Sequence, residues 1–143
     1  MPPTYLLVAL LLMIVFYFSF PSLRLLSIPW NLVGIIPLGI GVAVNLIADA
    51  QFHKVNTTVQ PFKHSTTLVK DGMFRYSRNP MYLGFVLILI GIGLMLGSLL
   101  PFTIIPIFGA ILHFKFIRVE EKMMSDSFGP SWIEYTKITR RWI

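Results

Sequence analysis

Three observations predict an all-α integral membrane protein with four transmembrane helices. Of 143 residues, 55% are hydrophobic and 13% charged, and the mean hydropathy is +0.74, too apolar for a soluble domain of this size. Four apolar runs each approach the roughly 20 residues a helix needs to cross the hydrocarbon core. The charged residues gather in the segments on one side of those runs. With no cysteine, the chain offers no disulfide framework, thiolate metal site or thiol nucleophile. In a soluble protein twelve basic against six acidic residues suggests nucleic acid. Here the excess reads as membrane orientation, so membrane lipids and no nucleic acid are the expected partners.

The first run, Thr4 to Phe20, is uninterrupted, and Pro21 ends it. No Lys or Arg precedes it and no Ala-x-Ala site follows, so it reads as a retained helix rather than a secretory leader. The second, Ile28 to Ala48, carries Gly34, Pro37, Gly39 and Gly41, which membrane helices tolerate when neighbours satisfy the loosened backbone. The third, Tyr82 to Leu100, holds Gly93 and Gly97 at the spacing that admits close helix approach. The fourth, Phe102 to Ile117, follows so directly that spans three and four are expected to form an antiparallel hairpin within a single domain covering residues 1–143.

Orientation follows from the loops. Arg24 stands alone between spans one and two, and no charge separates spans three and four. Lys54, Lys63, Lys70, Arg75 and Arg78 lie between spans two and three; Lys115, Arg118, Lys122, Lys137, Arg140 and Arg141 follow. Eleven of the twelve basic residues therefore share one face, as do all six acids. Because Lys and Arg are retained on the cytoplasmic side, a multi-pass protein of the inner or plasma membrane is expected, with both termini and any reactive site cytoplasmic.

Two polar segments occupy that face. Asp49 to Met81 is long for a connection, yet Phe52, Val59, Phe62, Leu68, Val69 and Phe74 supply apolar surface to pack it. Lys70-Asp71-Gly72 reads as a turn. Asn79-Pro80 reads as the cap and first position of the next helix, whose free N–H groups and positive dipole end would face the cytoplasm. In the tail, Phe128-Gly129-Pro130 breaks a helix, and Ser131 with Glu134 has the form of a capping box. Arg140, Arg141 and Trp142 read as an interfacial anchor. His53 and His64 have no third imidazole beside them, so no metal site is expected. His113, at the inner end of span four, reads as an interfacial or helix-bonded group.

The stretch from Thr66 to Gly84, containing Leu68-Val69-Lys70-Asp71-Gly72 and Arg78-Asn79-Pro80-Met81-Tyr82, resembles the isoprenylcysteine carboxyl methyltransferase family. So does the later Glu120-Glu121, with Phe128-Gly129 and Arg140-Arg141-Trp142. That family stands with the phospholipid N-methyltransferases in a superfamily of membrane enzymes, and the resemblance covers roughly the last 85 residues. It implies an S-adenosyl-L-methionine-dependent methyltransferase with a cytosol-facing cofactor pocket built from the loop between spans two and three and the C-terminal helices. By the resemblance, Thr66, Thr67, Leu68 and Val69 line the cofactor and Phe74 lies near the adenosine. Asn79, Pro80, Met81 and Tyr82 cradle the methionine part, and Glu121 recognises the cofactor. Arg118, or Lys115 one turn earlier, holds the substrate, so Arg118 and Glu121 are the expected catalytic residues. On this reading Glu121→Gln weakens cofactor binding and leaves stability in detergent nearly unchanged.

The expected acceptor is a small lipophilic molecule or lipid, with carboxyl O-methylation ahead of lipid amine N-methylation. Many relatives have His at the position of Asn79, and an amide there hydrogen-bonds without titrating. Eukaryotic prenylcysteine enzymes have more spans, so a prenylated-protein substrate is not assumed. The alternatives are a nicotinamide-dependent membrane reductase, which the absence of a dinucleotide glycine fingerprint disfavours, and a four-span transporter, which would need a carboxylate inside a span. Glu120 and Glu121 also admit a plain reading as helix-surface charges paired with Lys122 or Arg118, and Arg75 and Arg78 one as anchors for lipid phosphates.

Overall fold

The computed structural model describes residues 1–21, 25–54 and 68–143. α1 spans Pro2–Ser19, and α2, Ile35–Lys54, is entered through a 3₁₀ turn at Trp30–Gly34. α3 covers Pro80–Leu96 and α4 Leu99–Ile111. A π-helical stretch, Leu112–Ile117, carries α4 without a break into α5, Arg118–Phe128, and α6, Pro130–Ile138, follows. Proline opens α1, α3 and α6, at a position where its missing N–H costs nothing.

Three helical stretches are long and apolar enough to cross a bilayer: Pro2–Ser19, Trp30–Lys54 and the 30-residue run Leu99–Phe128. α3 is apolar throughout but has 17 residues, about 26 Å against a hydrocarbon core of about 30 Å. The chain is thus an integral membrane protein with three full-length apolar helices and one shorter one, where four spans were expected. Leu7, Leu11, Val15 and Phe18 on α1, with Ile36, Ile40 and Ile47 on α2, face outward, as surface in lipid does. Met13, Leu89, Leu112, Phe116 and Ile117 are fully buried and form the middle of the core.

α3 packs most extensively along α2, and α4 along α1, although α3 and α4 are joined by only Gly97 and Ser98. Paired glycines explain the first contact. Gly34 and Gly41 on one side, and Gly84 and Gly91 on α3, repeat at two helical turns. A Cβ on Gly91 would lie 2.6 Å from the Leu38 nitrogen and 2.7 Å from the Gly34 oxygen; one on Gly41 would lie 2.6 Å from the Gly84 oxygen. The close helix approach expected at Gly93 and Gly97 is not what those glycines serve. Gly93 faces the Phe102 ring, and Gly97, the left-handed residue that ends α3, lies against the Leu26 backbone, whose oxygen an added Cβ would meet at 2.3 Å. Gly91→Ala is therefore expected to lower stability by about 1–3 kcal/mol through overpacking against backbone. Gly39→Ala, with no atom within 4 Å of its added Cβ, is expected to gain up to about 1 kcal/mol of helix propensity. Melting in detergent checks the pair.

The long polar connection is shorter than the sequence implies, because α2 continues to Lys54. The expected turn is present: Gly72 has φ +61°, and a Cβ there would strike the Gln51 amide. Gln51 Oε1 accepts from the Met73 N–H at 3.2 Å, so the end of α2 holds the turn that delivers Phe74. The helix break at Gly129 is present too, with φ +48°. α6 is capped by Gly129 with no side-chain bond, so Ser131 and Glu134 do not form the expected capping box. With Pro130 at the first helical position, Ser131 is already inside the helix.

Candidate functional site

An open cleft lies between α5, the 68–79 segment and α6. Its walls are aromatic and apolar: Phe52 from α2, Phe74, and Trp132 with Tyr135 from α6, along with Leu68 and Val69. Its polar lining is Arg78, Asn79, Glu120 and Glu121. Phe52 and Phe74 meet edge to face at 4.9 Å, and the buried Tyr135 hydroxyl donates to the Phe74 carbonyl at 2.5 Å. Burial pushes the Tyr135 phenol up to about 12, against the opposing effect of the Arg78 charge.

Five residues expected at the cofactor line this cleft: Leu68, Val69, Phe74, Asn79 and Glu121. Thr66 and Thr67, with His64 and Lys63, lie outside the described residues. Pro80 is fully buried, Met81 partly so, and neither borders the cleft. Tyr82 is buried beside it and reaches it indirectly: its hydroxyl donates to Glu120 Oε1 at 2.6 Å. Asn79 does not cap α3 with its side chain. Its Nδ2 instead donates to the Arg141 carbonyl at 3.0 Å, and its backbone N–H donates to Ser77 Oγ at 3.1 Å.

Arg118 is not in the cleft. It is exposed, with its guanidinium 6.0 Å from the Phe114 ring centre. At 3.6 residues per turn it lies about 160° around the helix from Glu120 and about 60° from Glu121. Lys115 is also exposed and donates to the Tyr5 hydroxyl. His113 is half-buried in the π-helical stretch against Phe114. His53 contacts Asp49 at 3.4 Å on the exposed end of α2.

The charged centre of the site joins three distant parts of the chain. Arg141 grips both carboxylate oxygens of Glu121, Nε at 3.0 Å from each and Nη2 at 2.6 Å from Oε2. Arg78 Nη1 stands 3.2 Å from Glu121 Oε1. The Arg78 and Glu121 side chains are only 13% and 14% exposed, against 39% for Arg141. The bond to Glu121 holds the Arg141 guanidinium still more firmly protonated than usual. Arg78 also lies 5.8 Å from the Trp132 ring centre, within cation–π range. Glu121 therefore pairs with Arg78 and Arg141, where the plain reading had Lys122 or Arg118.

Backbone bonds lay the tail along the same segment. The Arg78 N–H donates to the Arg140 carbonyl at 3.0 Å, Ser77 Oγ to the Arg141 carbonyl at 3.4 Å, and Thr139 Oγ1 to the Arg75 carbonyl at 3.4 Å. The expected interfacial anchor at Arg140-Arg141-Trp142 is thus a strap: Arg141 turns into the site and Trp142 packs on the core. No sequence spacing announces this, because Arg141 stands 20 residues from Glu121 and 62 from Asn79.

The profile of the phospholipid methyltransferase family matches residues 30–131 of the chain. Among curated proteins, the protein-S-isoprenylcysteine O-methyltransferase of Saccharomyces cerevisiae is 35% identical over 128 residues, covering 82% of this chain and 52% of that protein. The cobalt-zinc-cadmium resistance protein CzcN of Cupriavidus metallidurans is 29% identical over 77 residues, covering 54% of this chain and 35% of that protein. The chain thus spans about half or less of the length of these relatives. Among solved structures, the eukaryotic intramembrane Ras methyltransferase ICMT superposes with a TM-score of 0.75 at 21% identity, over 99% of this chain and 51% of that one. The fold is shared, and the family match takes in α2, the turn at Gly72, α3, α4 and the glutamate pair: the chain belongs to the phospholipid methyltransferase family and resembles its isoprenylcysteine carboxyl methyltransferase members.

Proposed function

We propose that the chain is a membrane methyltransferase that uses S-adenosyl-L-methionine, with its cleft on the cytoplasmic face and both termini on that side. The observation that carries this reading is the convergence of the 68–79 segment, the glutamate pair and α6 on one cleft bordered by Leu68, Val69, Phe74, Asn79 and Glu121, residues the resemblance assigns to the cofactor. α3 counts as the fourth span, short but packed against α1, α2 and α4, and with α4 it forms the hairpin beneath the cleft. The eleven basic residues that the sequence gathers in the segments on one side of the apolar runs support the orientation.

The lining suits the cofactor. Aromatic walls offer faces to an adenine ring, with Phe74 and Trp132 the residues for that contact. The polar end combines carboxylates with guanidinium and amide donors, as a zwitterionic amino-acid group requires. Leu68 and Val69 offer backbone, Asn79 its position at the head of α3, and Glu120 a carboxyl at the cleft edge. Glu121 acts through Arg78 and Arg141, fixing the wall rather than serving as a lone acceptor. When bound, the cofactor supplies an electrophilic methyl group on a sulfonium. The chain's own work is to orient the partners and exclude water, because proximity and alignment dominate an in-line displacement. A carboxylate acceptor needs no strong base, and the apolar helices beneath the cleft suit a lipophilic one.

Carboxyl O-methylation is favoured, lipid amine N-methylation next. Protein in vesicles, given methyl-labelled S-adenosylmethionine with either an S-prenylcysteine or phosphatidylethanolamine, is expected to transfer label to the lipid phase. Alkali-labile label identifies an ester and alkali-stable label an amine. Transfer to neither by folded protein contradicts the reading.

A further inference from the structure

Charge in the cleft does not balance at Glu121. Two guanidiniums, Arg78 and Arg141, face one carboxylate, and Arg141 alone spans both carboxylate oxygens. Arg78 adds one ion contact at 3.2 Å, while its Nε is buried with no hydrogen-bond partner among the described residues. An unpaired buried donor on a charged group is costly, so such a group is rarely left without a use. The guanidinium borders the cleft and is backed by Trp132. Its own backbone N–H is tied to the Arg140 carbonyl, which fixes where the side chain starts. The other carboxyl of the cleft, Glu120, is engaged by the Tyr82 hydroxyl at 2.6 Å.

We propose that Arg78 is the anion-holding residue of the cleft and takes a carboxylate of the bound molecules, the role the sequence resemblance gives to Arg118. A planar guanidinium with surplus N–H donors matches a carboxylate in a way a lysine does not. Arg118 is turned toward Phe114 and does not border the cleft. The inference rests on the cofactor reading above and adds a residue to it. The carboxylate has two sources, the amino-acid part of the cofactor and a carboxylic acceptor.

Calorimetry with S-adenosylhomocysteine and its decarboxylated analogue separates them. Wild-type protein is expected to bind the intact ligand at least about tenfold more tightly, the usual scale of one charged hydrogen-bonded contact. If the cofactor is the source, Arg78→Gln removes most of that ratio and leaves affinity for the decarboxylated analogue within about threefold. If the acceptor is the source, Arg78→Gln leaves both affinities unchanged and raises KM for an S-prenylcysteine by about tenfold or more. Arg78→Lys, which keeps the charge and gives up the fork, is expected to fall between, and carries the same comparison should Arg78→Gln not fold. Equal loss of both ligands, or no change in either ligand or in KM, overturns the proposal. Failure of wild-type protein to bind S-adenosylhomocysteine counts instead against the cofactor reading.

Discussion

Glu121→Gln is expected to weaken S-adenosylhomocysteine binding and to destabilise the protein at once. An amide in place of the carboxylate leaves two guanidiniums facing each other without a counter-charge, in a site where the Arg78 and Glu121 side chains are about seven-eighths buried. Breaking a fully buried pair costs about 3–5 kcal/mol. Arg141 is 39% exposed, so solvent screening reduces the expected loss to roughly 2–3 kcal/mol. This revises the expectation from sequence, which gave Glu121 a cofactor-binding and catalytic role and left stability nearly unchanged. Paired detergent melts and calorimetric titrations check it. Weakened binding with an unchanged melt would mean that Glu121 meets the ligand directly, and that its arginine contacts carry no energy.

Truncation after Ile138 is the second large effect. It removes the strap, and with it the Arg141 grip on Glu121, the Arg140 and Arg141 carbonyls that accept from Arg78, Ser77 and Asn79, and the bond from Thr139 to Arg75. At about 1 kcal/mol for each hydrogen bond, with the ion pair added, the loss is several kcal/mol. It falls mainly on the cap over the cleft, with the loss of Trp142 uncovering one edge of the helix core. The expected result is unchanged helix content by circular dichroism, faster hydrogen exchange in residues 68–79 and 118–138, and loss of S-adenosylhomocysteine binding by more than about a hundredfold. Binding at wild-type strength by the truncated protein would contradict the role given to the strap.

The parts of this molecule that are legible in sequence are those set by local chemistry. Apolar runs locate α1 and α3, and an opening proline marks the start of α3; the Asp71-Gly72 turn and the Gly129 break follow from backbone preferences within four residues. The meeting of loop and tail is legible at low detail, because charge segregation puts both on one face. What sequence does not disclose is pairing at a distance. Gly34 and Gly41 read as irregularities in a helix until Gly84 and Gly91 are seen against them. Arg141 reads as a surface anchor because nothing in its neighbours reports that the helix break at Gly129 turns the tail back onto Glu121. Arg118 reads as the site arginine by nearness to the glutamates along the chain, whereas its side chain lies toward Phe114 and Arg78, from a distant segment, meets Glu121 instead.

The most direct test of the account is calorimetric titration of the folded, detergent-solubilised chain with S-adenosylhomocysteine. The cleft described here predicts saturable binding of one ligand per chain, with a Kd roughly in the micromolar range. Absence of binding at about 1 mM ligand, in protein whose melt is cooperative, would contradict it.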